Sequence, residues 1–198
     1  MTLTTTTDGA GTQVARAALA PTPGQTVGPF FHYALPYDGD RQLVAPGIPG
    51  ALLLHGTVTD GSGLPVRDAL VEIWQADPAG HVVQRHGSLR RDGHAFTGFG
   101  RSSTDRTGRY AFTTLRPGPV EGGLPFFAVT VFARGLLHRL FTRAYLPLEG
   151  AEPDALLRAA GDRAGTLLCV DDEDGLRFDI ALQGERETVF LAHPRAGR

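Results

Sequence analysis

From residue 51 onward the chain is written in short apolar or alternating runs separated by turn residues. ALLLHGTVTD at 51–60 predicts a strand, and GSGLP at 61–65 the turn that follows it. In DALVEIWQAD at 68–77, Ala69, Val71 and Ile73 alternate with their neighbours, the period-two pattern of a half-buried strand. RYAFTTL (109–115), FFAVTVFA (126–133), RLFTRAYL (139–146), TLLCV (166–170), LRFDIAL (176–182) and ETVFLA (187–192) predict further strands. One helix is predicted at EPDALLRAAG, 152–161, where acidic residues open the segment and Gly161 can close it.

The fold class that follows is all-β: a β-sandwich of mostly antiparallel strands, with an irregular N-terminal arm and one short helix. Residues 1–20 are rich in Thr, Ala and Gly without periodicity and are expected to be a mobile extension. Residues 21–50 form the arm, because prolines and glycines recur too often for a helix or long strand to persist. Phe30, Phe31, Tyr33 and Tyr37 give that arm apolar surface that must lie across something, its own domain or a partner. Residues 51–198 are expected to be the sandwich. A weak internal echo joins TDGSG at 59–63 to TDRTG at 104–108, hairpin chemistry in which Asp binds backbone amides and Gly takes a positive φ.

Composition narrows the function. With 198 residues the chain suits one domain with a real core. Its 26 glycines and 14 prolines favour many short strands joined by tight turns. The net charge of −2, with no basic block, gives nucleic acid no electrostatic footprint. No stretch approaches the roughly 18 apolar residues of a membrane span, and the opening residues lack a secretory pattern. The expectation is a cytoplasmic protein with neither nucleic-acid nor membrane partner.

Candidate chemistry is sparse. Cys169 is the only cysteine, which excludes an internal disulfide and a cysteine-based metal site, and its apolar run predicts a buried thiol. No G-x-S-x-G and no complete phosphate loop is present; GFGRSSTD has the glycines only. None of the seven histidines forms a compact ligand pair, although Asp77 with His81, or His86 with His94, can meet in space. DDED at 171–174 lacks the alternating ligands of a calcium loop and predicts a solvated turn.

Four segments in order change the picture: TPGQTVGPFF (22–31), GTVTDGSGLPVRDALVEIWQADPAG (56–80), GRSSTDRTGRYAFTTLRPG (100–118) and RFDIALQGERETVF (177–190). Together they resemble the intradiol ring-cleavage dioxygenase family. The chain length and VFARG at 131–135 place the resemblance with the α chains of the family's two-chain enzymes. It implies an O2-dependent cleavage of a small aromatic substrate, a carboxylated catechol, between its two hydroxylated carbons. It also implies Fe(III) held by two tyrosinates and two histidines in the family's catalytic chains. Here those positions carry no donor: residues 77–99 contain no Tyr, Val120 follows RPGP, and Phe126 and Ala128 stand for the H-x-H. The resemblance therefore implies that Fe(III) belongs to a partner, an iron-bearing β subunit, in a higher oligomer of αβ protomers. It further implies that Thr26, Gly28 and Pro29 of the T-x-G-P motif, with Arg134, border the partner's substrate pocket. The competing reading is a free-standing, non-enzymatic β-sandwich binding module of the transthyretin-like kind, which shares the TD-x-x-G turns.

Overall fold

The computed structural model describes residues 26, 28, 31–84 and 95–192. The expected extension at 1–20 and the residues Phe30, His86, His94 and His193 lie outside them.

Among the described residues nine strands form two sheets. They are β1 (Ala51–Thr59), β2 (Leu70–Gln75), β3 (Phe99–Ser103), β4 (Arg109–Leu115), β5 (Phe126–Phe132), β6 (Leu140–Tyr145), β7 (Val170–Asp171), β8 (Gly175–Arg177) and β9 (Ile180–Ala181). One sheet has the order β4-β1-β8-β7, with β9 also on β1; the other runs β3-β2-β5-β6. Pairing is antiparallel except where β8 and β9 run parallel to β1. The result is the all-β sandwich. Its core follows from period two: Val71, Ile73, Val129 and Val131 point inward to meet Leu54, Val58, Phe112 and Ile180 of the facing sheet. One polar bridge crosses the core. Thr114 donates to the Gln75 side-chain oxygen, and Gln75 Nε2 donates to the Leu115 carbonyl at 2.9 Å, so no side-chain polar atom there is left unpaired.

The predicted helix is α2 (Ala155–Ala160), following a single helical turn, α1 (Phe31–Ala34). Asp154 caps α2 by accepting the Leu157 N–H at 2.9 Å, and Gly161 ends it with φ 55°. The chain then tightens into a 3-10 segment, Gly161–Leu167, so TLLCV is not a strand of its own. Leu157 and Leu167 instead form a small second core with Tyr145. ETVFLA also differs from its expectation. Its backbone N–H bonds are scattered: Glu187 to Gly184, Thr188 to Ala181, Val189 to Thr166 Oγ1, and Leu191 to Phe141. Without one continuous partner there is no ladder.

β3, which the strand patterning does not predict, lies within GFGRSSTD. A Cβ on Gly100 would lie 2.4 Å from Leu43 Cδ1, so the glycine is the space into which the arm's Leu43 packs. That packing is how the arm is laid down. Leu43 N–H donates to Thr113 at 2.8 Å on β4, and Arg101 N–H of β3 donates to Asp40 at 2.9 Å. Residues 40–43 thus close the sandwich along the edges of both sheets. The Asp turns number three among the described residues: Asp60, Asp77 and Asp105 each accept backbone N–H groups from two and four residues ahead. No described helix is long and apolar enough to cross a membrane.

Candidate functional site

A cavity of about 650 Å³ opens at the end of the sandwich where the β1–β2 and β5–β6 connections meet the C-terminal segment. Asp68, Arg134, Leu136, Leu182 and Phe190 line it. Its charged centre follows from strand register. β2 and β5 pair antiparallel with Leu70 opposite Phe132, so two residues further along each strand Asp68 faces Arg134. Arg134 Nη2 lies 3.0 Å from Asp68 Oδ2. The carboxylate side chain is only 8% exposed and the guanidinium 56%. Asp68 is held from beneath, since Thr104 Oγ1 accepts the Ala69 N–H at 2.9 Å and donates to the Val66 carbonyl at 2.7 Å.

The arm enters beside this cleft. Phe31 packs on Phe132 with ring centroids 6.3 Å apart, and Ser103 Oγ donates to the His32 carbonyl at 2.9 Å. Phe132 precedes Arg134 by two residues, and Gly28 precedes Phe31 by three, a reach of roughly 11 Å at most. Thr26 and Gly28 are both exposed, and an added Cβ at Gly28 would meet nothing within 4 Å. Nothing among the described residues demands glycine there. Pro29 lies outside the described residues.

The outward face of the β3-β2-β5-β6 sheet carries two of the positions that the resemblance assigns to iron ligands, Phe126 and Ala128. Ala128 is exposed beside the exposed Trp74, its cross-strand partner. Phe126 packs against Tyr145 at 5.6 Å, and the Arg143 guanidinium sits 4.1 Å from the Phe126 ring centre. Tyr145 is the phenol on this side, and its hydroxyl is occupied: it accepts from Arg143 at 3.0 Å and donates to Asp154 at 2.7 Å. Burial, then the bond to Asp154, raises its pKa, so it stays a phenol rather than a tyrosinate. Val120, Phe126 and Ala128 offer only carbon. The residues present do not fit an iron, and no described group of three His, Cys, Asp or Glu is placed to hold a metal.

The other candidates are structural. Asp77 and His81 do meet, at 3.2 Å, but within a single turn on the surface. His55 is buried in β1 with Nε2 3.1 Å from Asp172 of the β7–β8 turn. Cys169 is buried, and burial pushes its thiol up to about 12. Asp68 was not foreseen as a site residue. Its only advance signal was its register opposite Arg134, and that requires knowing that β2 pairs with β5.

A dioxygenase family model matches residues 27–124. The protocatechuate 3,4-dioxygenase alpha chain of Burkholderia cepacia is 37% identical over 194 residues, covering 87% of this chain and 98% of that one. The beta chain from the same species is 33% identical over 176 residues, covering 78% and 74%. Among solved structures, the dioxygenase domain of a dioxygenase carbohydrate-binding protein fusion from Streptomyces sp. SirexAA-E superposes with a TM-score of 0.53 at 27% identity, covering 83% of this chain and 99% of that one.

Proposed function

The chain belongs to the dioxygenase family, and from that premise we propose that it is the α subunit of a protocatechuate 3,4-dioxygenase whose Fe(III) is held by the β subunit. Its similarity runs along nearly the whole length of α chains, against three-quarters of a β chain. Relatives of both kinds indicate a heteromeric α/β enzyme of the intradiol class, a class that depends on non-haem iron. These relatives do not favour the transthyretin-like module. The reaction adds both atoms of O2 across the bond between the two hydroxylated carbons of protocatechuate, giving 3-carboxy-cis,cis-muconate.

The observation that carries the division of labour is the donor set. Where the resemblance puts iron ligands, this chain has Val120, Phe126 and Ala128, and its nearby phenol is committed to Arg143 and Asp154. This chain's own part is recognition. Arg134 supplies a guanidinium edge for the substrate carboxylate, a contact that pairs planar donors with planar acceptors. Thr26, Gly28 and Pro29 form a backbone wall of the partner's pocket, where the open space at Gly28 admits close approach. The exposed Tyr33, Leu35 and Leu137 supply apolar surface for assembly into a higher oligomer of αβ protomers.

The test is purification of the chain alone and co-expressed with its β chain, with iron content, visible absorption and ring cleavage measured on each. The chain alone is expected to be colourless and inactive, and the complex coloured and active. Stoichiometric iron with a visible band in the isolated chain would overturn the assignment.

A further inference from the structure

A half-exposed arginine at a cleft mouth loses side-chain entropy whenever it must hold one geometry for a ligand. Arg134 is such a residue, yet it is not free to wander. Its Nη2 is tied at 3.0 Å to Asp68, whose side chain is 8% exposed. The tie is an ion pair to one edge of the guanidinium, and none of its five N–H donors is committed to a hydrogen bond among the described residues. Asp68 is itself fixed. Ala69 and Val66, on either side of it, are both pinned by the Thr104 hydroxyl, and Thr104 N–H donates to the Ala69 carbonyl at 2.9 Å. Ala133, next to Arg134, is fully buried and closes a turn to Leu136. Both anchors are therefore rigid on the protein side, and only the outer edge of the guanidinium is left unspent.

We propose that Asp68 is a positioning residue: it holds the Arg134 guanidinium so that its remaining donor edge is set for a substrate carboxylate. This rests on the reading that Arg134 faces the carboxylate of protocatechuate. Asp68 touches no substrate and acts through Arg134. It also gives a specificity mechanism, because the buried carboxylate fixes the arginine before binding and partly balances its charge. Only an anion that replaces water on the open edge gains the full contact; a neutral catechol gains little.

The experiment uses the co-expressed complex, with protocatechuate and catechol as paired probes, each titrated without O2 to give Kd and then turned over to separate KM from kcat. Asp68→Ala is expected to weaken protocatechuate binding about tenfold and catechol binding less than about threefold, the scale of one charge-assisted contact. Asp68→Asn keeps an accepting oxygen and is expected to lose only about threefold on protocatechuate. In the Arg134→Ala background, Asp68→Ala is expected to add less than about twofold, since a residue acting only through its partner has nothing further to lose. If Asp68→Ala harms both substrates alike, or keeps its full effect in the Arg134→Ala background, Asp68 is a structural residue and the inference fails. Should Asp68→Ala not assemble, the Asn variant decides: a selective loss supports positioning, and wild-type behaviour overturns it. The two levels separate cleanly. Arg134→Ala acting equally on both substrates removes the underlying reading, whereas a selective Arg134→Ala with silent Asp68 variants removes only the role of Asp68.

Discussion

Two arginine–carboxylate pairs flank the same strand, and they are spent differently. Glu72 of β2 faces Arg101 of β3, and three of the five Arg101 donors are spent: Nε and Nη2 both donate to Glu72, at 2.8 and 2.5 Å, while Nη1 donates to the Leu35 carbonyl at 2.7 Å. Its side chain is 14% exposed. Arg134, just after β5 and opposite Asp68 at the start of β2, makes one contact to Asp68 and is 56% exposed. The first pair fastens the arm to the sheet and leaves little for a ligand. The second leaves most of a guanidinium facing a cleft. Charge alone does not mark a site; unspent donors on a rigid base do. Arg143 falls with Arg101, since it is spent on the Phe126 ring and the Tyr145 hydroxyl.

The largest expected effect comes from breaking the Glu72–Arg101 pair. Arg101→Ala leaves Glu72 with little water and no partner, and should cost about 3 kcal/mol of stability in equilibrium urea unfolding. It should leave the preference between protocatechuate and catechol unchanged. A shift in that preference would blur the contrast between the two arginines. Next is Asp154→Ala, which removes the cap of α2 and the acceptor of Tyr145 together. A loss of about 1–2 kcal/mol is expected in the same measurement, and no loss would mean that the Arg143–Tyr145–Asp154 chain is not structural.

Acid should act on the turns. His55 first of all, with the backbone N–H groups of Asp174 and Gly175, holds Asp172 below the usual 3.8. The His81 N–H does the same for Asp77, and the Thr107 hydroxyl for Asp105. A carboxylate with a depressed folded pKa contributes stability above its unfolded pKa and loses it as pH falls through the folded one. The melting temperature should therefore hold down to about pH 5 and drop below about pH 4. A melting temperature that stays level to pH 3 would contradict these assignments. The smallest effect is predicted for Gly28→Val. With nothing within 4 Å of its Cβ, stability should change by less than about 0.5 kcal/mol. On the proposed function, in which the partner completes the wall, KM in the complex should still rise. An unchanged KM would reduce Thr26–Pro29 to a strap.

Much of the fold was legible because period-two patterning and Asp-x-x-Gly turns are local. The helix was legible because Asp154 and Gly161 are its own start and stop. β3 was hidden because Gly100 answers to Leu43, some 57 residues earlier in the chain. ETVFLA misled because its alternating pattern was real while its partners are three separate segments. At the site, Arg134 was reached through a resemblance. Asp68 was invisible because it matters only once β2 lies beside β5.

The most direct test is the ratio of kcat/KM for protocatechuate to that for catechol in complexes carrying Arg134→Ala or Arg101→Ala. For Arg134→Ala the ratio should fall between about tenfold and a hundredfold, a charge-assisted contact of about 1.5–3 kcal/mol, and for Arg101→Ala it should stay at the wild-type value. Equal loss on both substrates with Arg134→Ala, or dissociation of the subunits without a change in ratio, would show that Arg134 is an interface strut and contradict the account.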